Sequence, residues 1–210
     1  MIDRFISQLD TLVPFLALGH KDIFTKIHDE NQEWFTEQQR KTLPETYSAY
    51  TNQVSVSAFL LGYSYFEAFI ADLAKKILIA RPKLLPKNKN ITFGDVVNAE
   101  SYETLLEKMV EQHVFSIMYD SIEKISDYYA EKLHIAWPLN NEVHSVVKAS
   151  LIRNCYMHNG GIVDIRLHEK FGFELGSEII LNPSEVHGYG ITIRHIAYEI
   201  FEQAKKKHLK

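Results

Sequence analysis

The chain has 210 residues, of which 46% are hydrophobic and 24% are charged, and this composition is typical of a folded globular protein rather than a disordered one. Its formal net charge of −4 excludes a protein whose whole surface grips the phosphate backbone, because such proteins carry a basic surplus, so any contact with nucleic acid is expected to be local. The single cysteine, Cys155, excludes a disulfide framework and a cysteine-rich zinc site.

The N-terminal region predicts helices up to a break at Leu43 and Pro44. Residues 2–18 have apolar side chains at helical spacing, and Pro14 is expected to bend or divide this helix. Residues 20–42 are more polar and predict one helix or two short ones. We therefore predict a helical extension over residues 1–46, which could be a lid or a dimerisation arm, followed by one helical domain over residues 47–210.

The sequence also predicts a cytoplasmic protein with no membrane partner. The opening residues MIDRFISQLD carry acidic and basic side chains and no long apolar core, so they do not form a secretory signal. No run approaches the roughly 18 uninterrupted apolar residues of a transmembrane segment.

Residues 47–80 predict the strongest helix of the chain. Apolar side chains cover much of its circumference, so this helix is expected to be central and largely buried. Glu67 stands in its aromatic run YSYFEAF, where a carboxylate is costly unless it is paired or reaches water. Glu67 either lies at a solvated rim or orients Arg153 or His158, because a carboxylate can hold an arginine side chain through two hydrogen bonds.

A basic segment follows at the end of this helix. Between residues 75 and 89 there are six basic side chains and no acidic one: Lys75, Lys76, Arg81, Lys83, Lys87 and Lys89. A solvated helix end and loop is the usual meaning of such a run. The alternative is a local RNA-binding patch, which an acidic protein would need in order to hold RNA.

The central part of the chain predicts three further elements. Residues 92–98 predict a short capped element. Residues 101–135 predict two helices that divide near Tyr119 and Asp120, where Asp120 or Ser121 could cap the second. Residues 138–141 predict a loop, and Asn140 or Asn141 is expected to start the next helix.

The stretch SLIRNCYMHNGGIVD, residues 150–164, contains the polar cluster whose spacing indicates chemistry. An apolar row at i, i+4 and i+8 over residues 143–151 predicts a helix, and the two glycines after Asn159 predict its end. Asn154 and His158 are four residues apart and share one face, and the long side chain of Arg153, about 100° round the helix, could fold back toward the histidine. Because the helix is expected to end near His158, the imidazole is expected at a rim. The structural alternative is a histidine that complements the helix dipole, with the arginine spacing arising by chance. Cys155 is expected to be a small buried packing residue.

The pattern R-N-x-x-x-H-N-G-G, which closes a helix late in a helical chain, resembles the HEPN superfamily (higher eukaryotes and prokaryotes nucleotide-binding domains). Its nuclease members carry an arginine, usually a polar residue next, a short spacer and a histidine, which fall here on Arg153, Asn154 and His158. The resemblance covers roughly residues 50–165 and implies a mainly α protein with a HEPN-like helical bundle. HEPN proteins often have an acidic residue on an early helix near the site, and Glu67 is the supporting candidate.

The residues after the histidine indicate which HEPN groups the chain resembles. Asn159 and two glycines are similar to prokaryotic HEPN groups linked to toxin and phage-defence systems, so Asn159 is a second supporting residue. Some toxin members have a tyrosine two residues after the histidine. Gly160 stands at that position, which argues against membership of that subgroup and against its pairing with a nucleotidyltransferase.

The resemblance implies a metal-independent endoribonuclease that uses no cofactor and leaves a cyclic phosphate end. Histidine can transfer the protons, arginine can clamp the phosphate, and asparagine can hold the imidazole tautomer or bind the phosphate. HEPN nucleases are dimers whose cleft contains both copies of the motif, so a homodimer acting on single-stranded RNA is expected, with an antitoxin or defence-system protein as a candidate partner. The alternatives are a non-catalytic HEPN-like module for dimerisation or for RNA or nucleotide binding, and a plain helical scaffold.

The C-terminal region changes in character. Residues 171–181 are glycine-spaced and partly alternating, and they predict a short β-hairpin or an extended segment. Asn182 and Pro183 predict a turn, and residues 192–207 predict an amphipathic helix. The HGYG at residues 187–190 lacks the context of a nucleotide fingerprint, and the remaining histidines have no metal-ligand spacing, so no metal site is expected.

Overall fold

The computed structural model describes residues 1–87, 91–138 and 140–209, with the side chain of Asn140 left out. Lys89, one of the six predicted RNA-binding residues, lies outside the described residues. Helices make up most of the described chain, which confirms the predicted mainly α class. The α-helices are α1 Ile2–Ala17, α2 Lys21–Glu30, α3 Glu37–Lys41, α4 Leu43–Ala80, α5 Phe93–Val97, α6 Tyr102–Met118, α7 Ile122–Glu131, α8 Asn140–Asn159, α9 Ile165–Phe171 and α10 Pro183–Lys207.

Contacts between residues divide the chain into two compact units. The first contains Asp3–Tyr65 and His144–Arg194, and the second contains Phe66–Val143 and the residues from His195 onward. The predicted boundary between residues 46 and 47 is a different division and stays a prediction. The whole R-N-x-x-x-H motif lies in the first unit, whereas Glu67 and the basic segment lie in the second.

In the first unit, the N-terminal helices pack around one aromatic side chain. Phe24 of α2 is buried, and its ring centroid lies 5.4 Å from that of Tyr47, 5.1 Å from that of Tyr50 and 6.1 Å from that of Phe35. The region between α1 and α4 forms two short α-helices with a 3₁₀ turn at Gln32–Trp34 between them, which agrees with one of the two predicted outcomes. Pro14 lies inside α1 without dividing it, so of the two predicted effects the division is wrong, and the bend stays a prediction.

In the second unit, the C-terminal half of α4 forms the core. Tyr129 of α7 is buried and donates a hydrogen bond to the carbonyl oxygen of Ile70. Trp137 packs edge-on against Phe66 and Tyr129, with ring centroids 5.7 Å and 5.9 Å away. Ser121 caps α7, as predicted, but α7 ends at Glu131, so the predicted helix up to residue 135 was too long.

Helix α4 is the one helix in the described part of the chain that is long and apolar enough to cross a membrane. Its most apolar 18-residue window has a mean hydropathy of 1.4, and 56% of that window is buried inside the structure. A buried core helix of a water-soluble protein has the same properties, so this finding by itself is weak evidence for a membrane span.

The region after α8 differs from its prediction. Helix α9 was not predicted, and α10 begins at Pro183, so its predicted start at residue 192 is wrong. Between these helices, residues 172–182 are not helical, and Glu178 forms an isolated antiparallel bridge with Ile162. The bridge pairs this segment with the residues that follow α8, and residues 171–181 do not pair with one another as a hairpin.

Candidate functional site

The burial pattern of α8 sets the orientation of the motif. Ile152 and Cys155 are each 1% exposed and anchor the last turns of the helix in the first unit. Arg153 and Asn154 are therefore half-buried at the edge of this packed face, and His158 is exposed. The predicted rim position of the imidazole and the predicted packing role of Cys155 are confirmed.

Two glycines end α8 directly after the motif. Gly160 and Gly161 have φ angles of 61° and 83°, in the left-handed region that glycine adopts without a Cβ clash. The Gly161 N–H donates to the carbonyl oxygen of Cys155 at 3.1 Å. The Asn159 side chain donates through Nδ2 to the carbonyl oxygen of Ile162 at 2.9 Å, which bridges the turn. The predicted end of the helix is confirmed, and Asn159 has a structural role there.

The ring of Tyr156 holds this turn in place. Its hydroxyl donates to the carbonyl oxygen of Ile179 at 2.5 Å, and the Ile179 N–H donates to the carbonyl oxygen of Gly161 at 2.8 Å. A Cβ at Gly161 would lie 2.8 Å from Cε1 of the Tyr156 ring, so any other residue here would have to push the ring aside. Burial raises the pKa of Tyr156 to about 12, so its hydroxyl stays protonated and able to donate at neutral pH.

The structure brings two of the three motif side chains together. Nη1 of Arg153 donates to Oδ1 of Asn154 at 3.1 Å. His158 makes no hydrogen bond or ion pair with the residues that the structure describes, so its imidazole faces solvent at the end of the helix. A single chain therefore presents an Arg153–Asn154 pair and, one turn later, one open imidazole.

Asp164 is a polar residue near the motif that the sequence analysis did not single out. Its carboxylate accepts hydrogen bonds from the Leu167 N–H at 2.9 Å, which caps α9, and from the Arg166 guanidinium at 3.0 Å and 3.1 Å. Burial alone would raise its pKa, but these hydrogen bonds outweigh burial and lower the pKa below its ordinary value. The signal in the sequence was an aspartate directly before an apolar residue at the start of a helix.

The basic segment in the second unit is mostly open to solvent. Lys75 pairs with Glu111, and this hydrogen bond raises the pKa of the lysine. The other four described members of the segment are exposed and form no ion pair with described residues: Lys76, Arg81, Lys83 and Lys87. Glu67 is half-buried on α4 in the same unit, and its predicted effect on Arg153 or His158 stays a prediction.

Comparisons with protein families, with curated proteins and with solved structures find no match to this chain. Within the described ranges, no three histidine, cysteine, aspartate or glutamate side chains lie together as metal ligands. The HEPN resemblance therefore depends on the motif residues themselves and on their placement at the end of α8.

Proposed function

We propose that the chain is a metal-independent endoribonuclease of the HEPN type that works in a toxin or phage-defence setting. The observation that carries the proposal is the end of α8, where an exposed imidazole stands one turn after the paired Arg153 and Asn154. The catalytic residues are Arg153 and His158, with a contribution from Asn154. The protein acts in the cytoplasm as a homodimer, because each chain supplies one motif imidazole and the reaction needs both a base and an acid.

The reaction needs no nucleophile from the protein. The imidazole of one copy takes the proton of a ribose 2′-hydroxyl, and the 2′-oxygen attacks the adjacent phosphorus. The bond from phosphorus to the 5′-oxygen breaks, and the second imidazole protonates that leaving oxygen. The products are a 2′,3′-cyclic phosphate and a 5′-hydroxyl. Arginine stays charged at every physiological pH, so Arg153 stabilises the negative charge on the phosphate during this step.

The RNA is single-stranded and is held by local charge, since the chain as a whole is acidic. The exposed Lys76, Arg81, Lys83 and Lys87 supply additional phosphate contacts in this proposal. Their joint replacement by alanine should weaken RNA binding and reduce its dependence on salt, because fewer counterions are released on binding. Binding measured by fluorescence anisotropy at several salt concentrations tests this. If the salt dependence of RNA binding does not change, these residues do not contact RNA, and the alternative of a solvated helix end and loop is favoured.

The decisive experiment is cleavage of short single-stranded RNAs in excess EDTA. His158→Ala should lower the rate at least ~100-fold while folding and dimerisation stay intact, because proton transfer by a positioned side chain contributes about that much. His187→Ala is the matched control, since His187 is also an exposed helical histidine of the first unit. If the folded, dimeric wild-type chain cuts no RNA, or if His158→Ala cuts at the wild-type rate, the nuclease proposal is wrong.

The second candidate is a non-catalytic HEPN-like module for dimerisation or for binding of RNA or nucleotides. The hydrogen bond from Arg153 to Asn154 favours it, because such a pair can also form a polar network at an interface. Arg153→Ala distinguishes the two candidates. If the chain is a nuclease, this variant should lose cleavage and remain a dimer in analytical ultracentrifugation. If the pair belongs to an interface network, the variant dimer should dissociate.

A further inference from the structure

The first unit contains a cavity that is unrelated to the motif chemistry. Its volume is about 290 Å³, and helices α1, α4 and α10 supply most of its wall. Apolar and aromatic side chains dominate this wall, among them Leu12 and Leu16 of α1, Phe59 of α4 and Ile193 of α10. Small-molecule sites typically have volumes of about 300 to 1,000 Å³ and mostly apolar walls, so this cavity suits a small ligand.

Two glycines shape this cavity in different ways. Gly62 lets α1 approach α4, because a Cβ there would lie 3.2 Å from Cδ1 of Leu12. Gly190 leaves space open instead, since a Cβ there would meet no atom within 4 Å. Glycine inside a helix lowers its stability relative to alanine, and nothing in the packing requires a glycine at this position of α10. The missing side chain keeps the cavity open.

The polar groups of the wall indicate the charge of the ligand. Among the residues that the structure describes, the polar side chains that line the cavity are those of Tyr63, His187, Tyr189 and Arg194, and no carboxylate lines it. Arg194 also pairs with Asp10 of α1, but a guanidinium has five N–H donors and can serve a second acceptor. The Tyr189 hydroxyl makes no hydrogen bond within the described part of the chain and can donate to a ligand. Such a wall favours an acidic head group over an amine.

We propose that this cavity binds a small amphiphilic anion, with an apolar tail among α1, α4 and α10 and a carboxylate head at Arg194. A medium-chain carboxylic acid is the class of ligand that satisfies both the apolar wall and the single permanent positive charge. The proposal is independent of the nuclease activity, because no residue of the R-N-x-x-x-H motif lines the cavity.

The test is titration of the full chain with octanoate by isothermal titration calorimetry, with octylamine as a probe of equal chain length and opposite charge. Wild type should bind octanoate in a one-to-one complex and octylamine more weakly. Gly190→Leu should weaken octanoate binding about tenfold or more, which is the loss expected when two methylene groups no longer fit. Gly188→Leu is the matched control and should bind like wild type, because Gly188 is on the same helix, has the same free space and does not line the cavity.

Four results would overturn the proposal: no octanoate binding by wild type, equal binding of octanoate and octylamine, unchanged binding by Gly190→Leu, or a change of oligomeric state in Gly190→Leu alone. The last result would show that a second copy of the chain covers the cavity. If Gly190→Leu does not fold, Arg194→Gln provides the second test. It should remove the preference for octanoate over octylamine, and a retained preference would place the head group elsewhere.

Discussion

The contact between Gly161 and the Tyr156 ring gives the sharpest quantitative prediction. Gly160→Ala and Gly161→Ala place the same methyl group at two consecutive positions with left-handed backbone conformations. At Gly160 the new Cβ meets nothing within 4 Å, whereas at Gly161 it lies 2.8 Å from Cε1 and 3.0 Å from Cδ1 of Tyr156. The first variant therefore measures backbone strain alone, and the second measures the same strain together with the steric clash against the Tyr156 ring.

The expected magnitudes follow from these contacts. A left-handed conformation costs an alanine about 1–2 kcal/mol, and the smaller unfolded-state entropy of alanine offsets about 0.4–1 kcal/mol of that cost. Gly160→Ala should therefore lower the free energy of unfolding by about 1 kcal/mol. Gly161→Ala must also push the Tyr156 ring aside, and such overpacking costs at least about 1 kcal/mol. It also disturbs the hydrogen bond from Tyr156 to Ile179, which is worth about 1 kcal/mol, so its total loss should be about 3 kcal/mol.

Urea denaturation followed by circular dichroism measures both variants, with stability read from the midpoints at constant m value. Equal losses of unfolding free energy in the two variants would refute this prediction, because they would show that the Tyr156 ring can move aside without lowering stability. RNA cleavage well below the unfolding transition extends the test to function. If the chain is the proposed nuclease and the turn positions His158, Gly161→Ala should cut RNA more slowly than Gly160→Ala, although neither substitution touches the imidazole.

Three further predictions concern stability and reactivity. Gly188→Ala should raise the free energy of unfolding by about 1 kcal/mol in thermal melts, because Gly188 lies inside α10 with free space around it. Asp164→Asn keeps the helix cap but loses the ion pair with Arg166, so it should cost up to about 1 kcal/mol at neutral pH. The pKa of Asp164 is lower in the folded state than in the unfolded state, so Asp164 contributes to stability at a pH above its unfolded pKa of about 3.9. The stability difference between Asp164→Asn and wild type in denaturation curves should therefore vanish as the pH falls through the folded pKa of Asp164. Cys155 is buried, which raises the pKa of its thiol, so a chromogenic disulfide reagent should label it at a far lower rate in the native protein than in denaturant.

Local signals account for the parts of the fold that the sequence predicts well. Helix α8 ends where two glycines follow Asn159, and α6 ends before the Ser121 cap of α7, because each signal depends on its nearest neighbours in the chain. The exposure of His158 goes with its place in the last turn of α8, just before the two glycines that end the helix. These features need no information about distant parts of the sequence.

The errors have physical causes of two kinds. Helix α10 begins at Pro183 because the Asn182 side chain accepts from the Glu185 N–H at 2.9 Å, while the Glu185 carboxylate accepts from the Asn182 N–H at 3.2 Å. This capping box is visible in the sequence. The interior Gly188 and Gly190 nevertheless placed the predicted start of the helix at residue 192, because glycine has a low helix propensity. The second kind of error concerns long-range contacts.

The contact of Tyr156 with Ile179 joins residues 23 positions apart in sequence, and no local pattern specifies it. The same limit applies to the division of the chain into two units, which the N-terminal pattern does not indicate. The sequence pattern therefore points to Arg153, Asn154 and His158 as candidates, whereas the packing that fixes the turn beside them is visible only in the structure.

The anchored turn after α8 also has a consequence for the dynamics of the motif. Helix C-termini usually fray, and a side chain on the last turn then samples many positions. Here the Gly161 N–H donates to the carbonyl oxygen of Cys155, and the carbonyl oxygen of Gly161 accepts from the Ile179 N–H. Both backbone polar groups of Gly161 are therefore hydrogen-bonded, which holds the end of the helix. The amide hydrogens of Gly161 and Ile179 should consequently exchange slowly with solvent. The conformational entropy of ordering the backbone beneath His158 is therefore already lost when the chain folds. A ligand that contacts the imidazole would not have to order this backbone again.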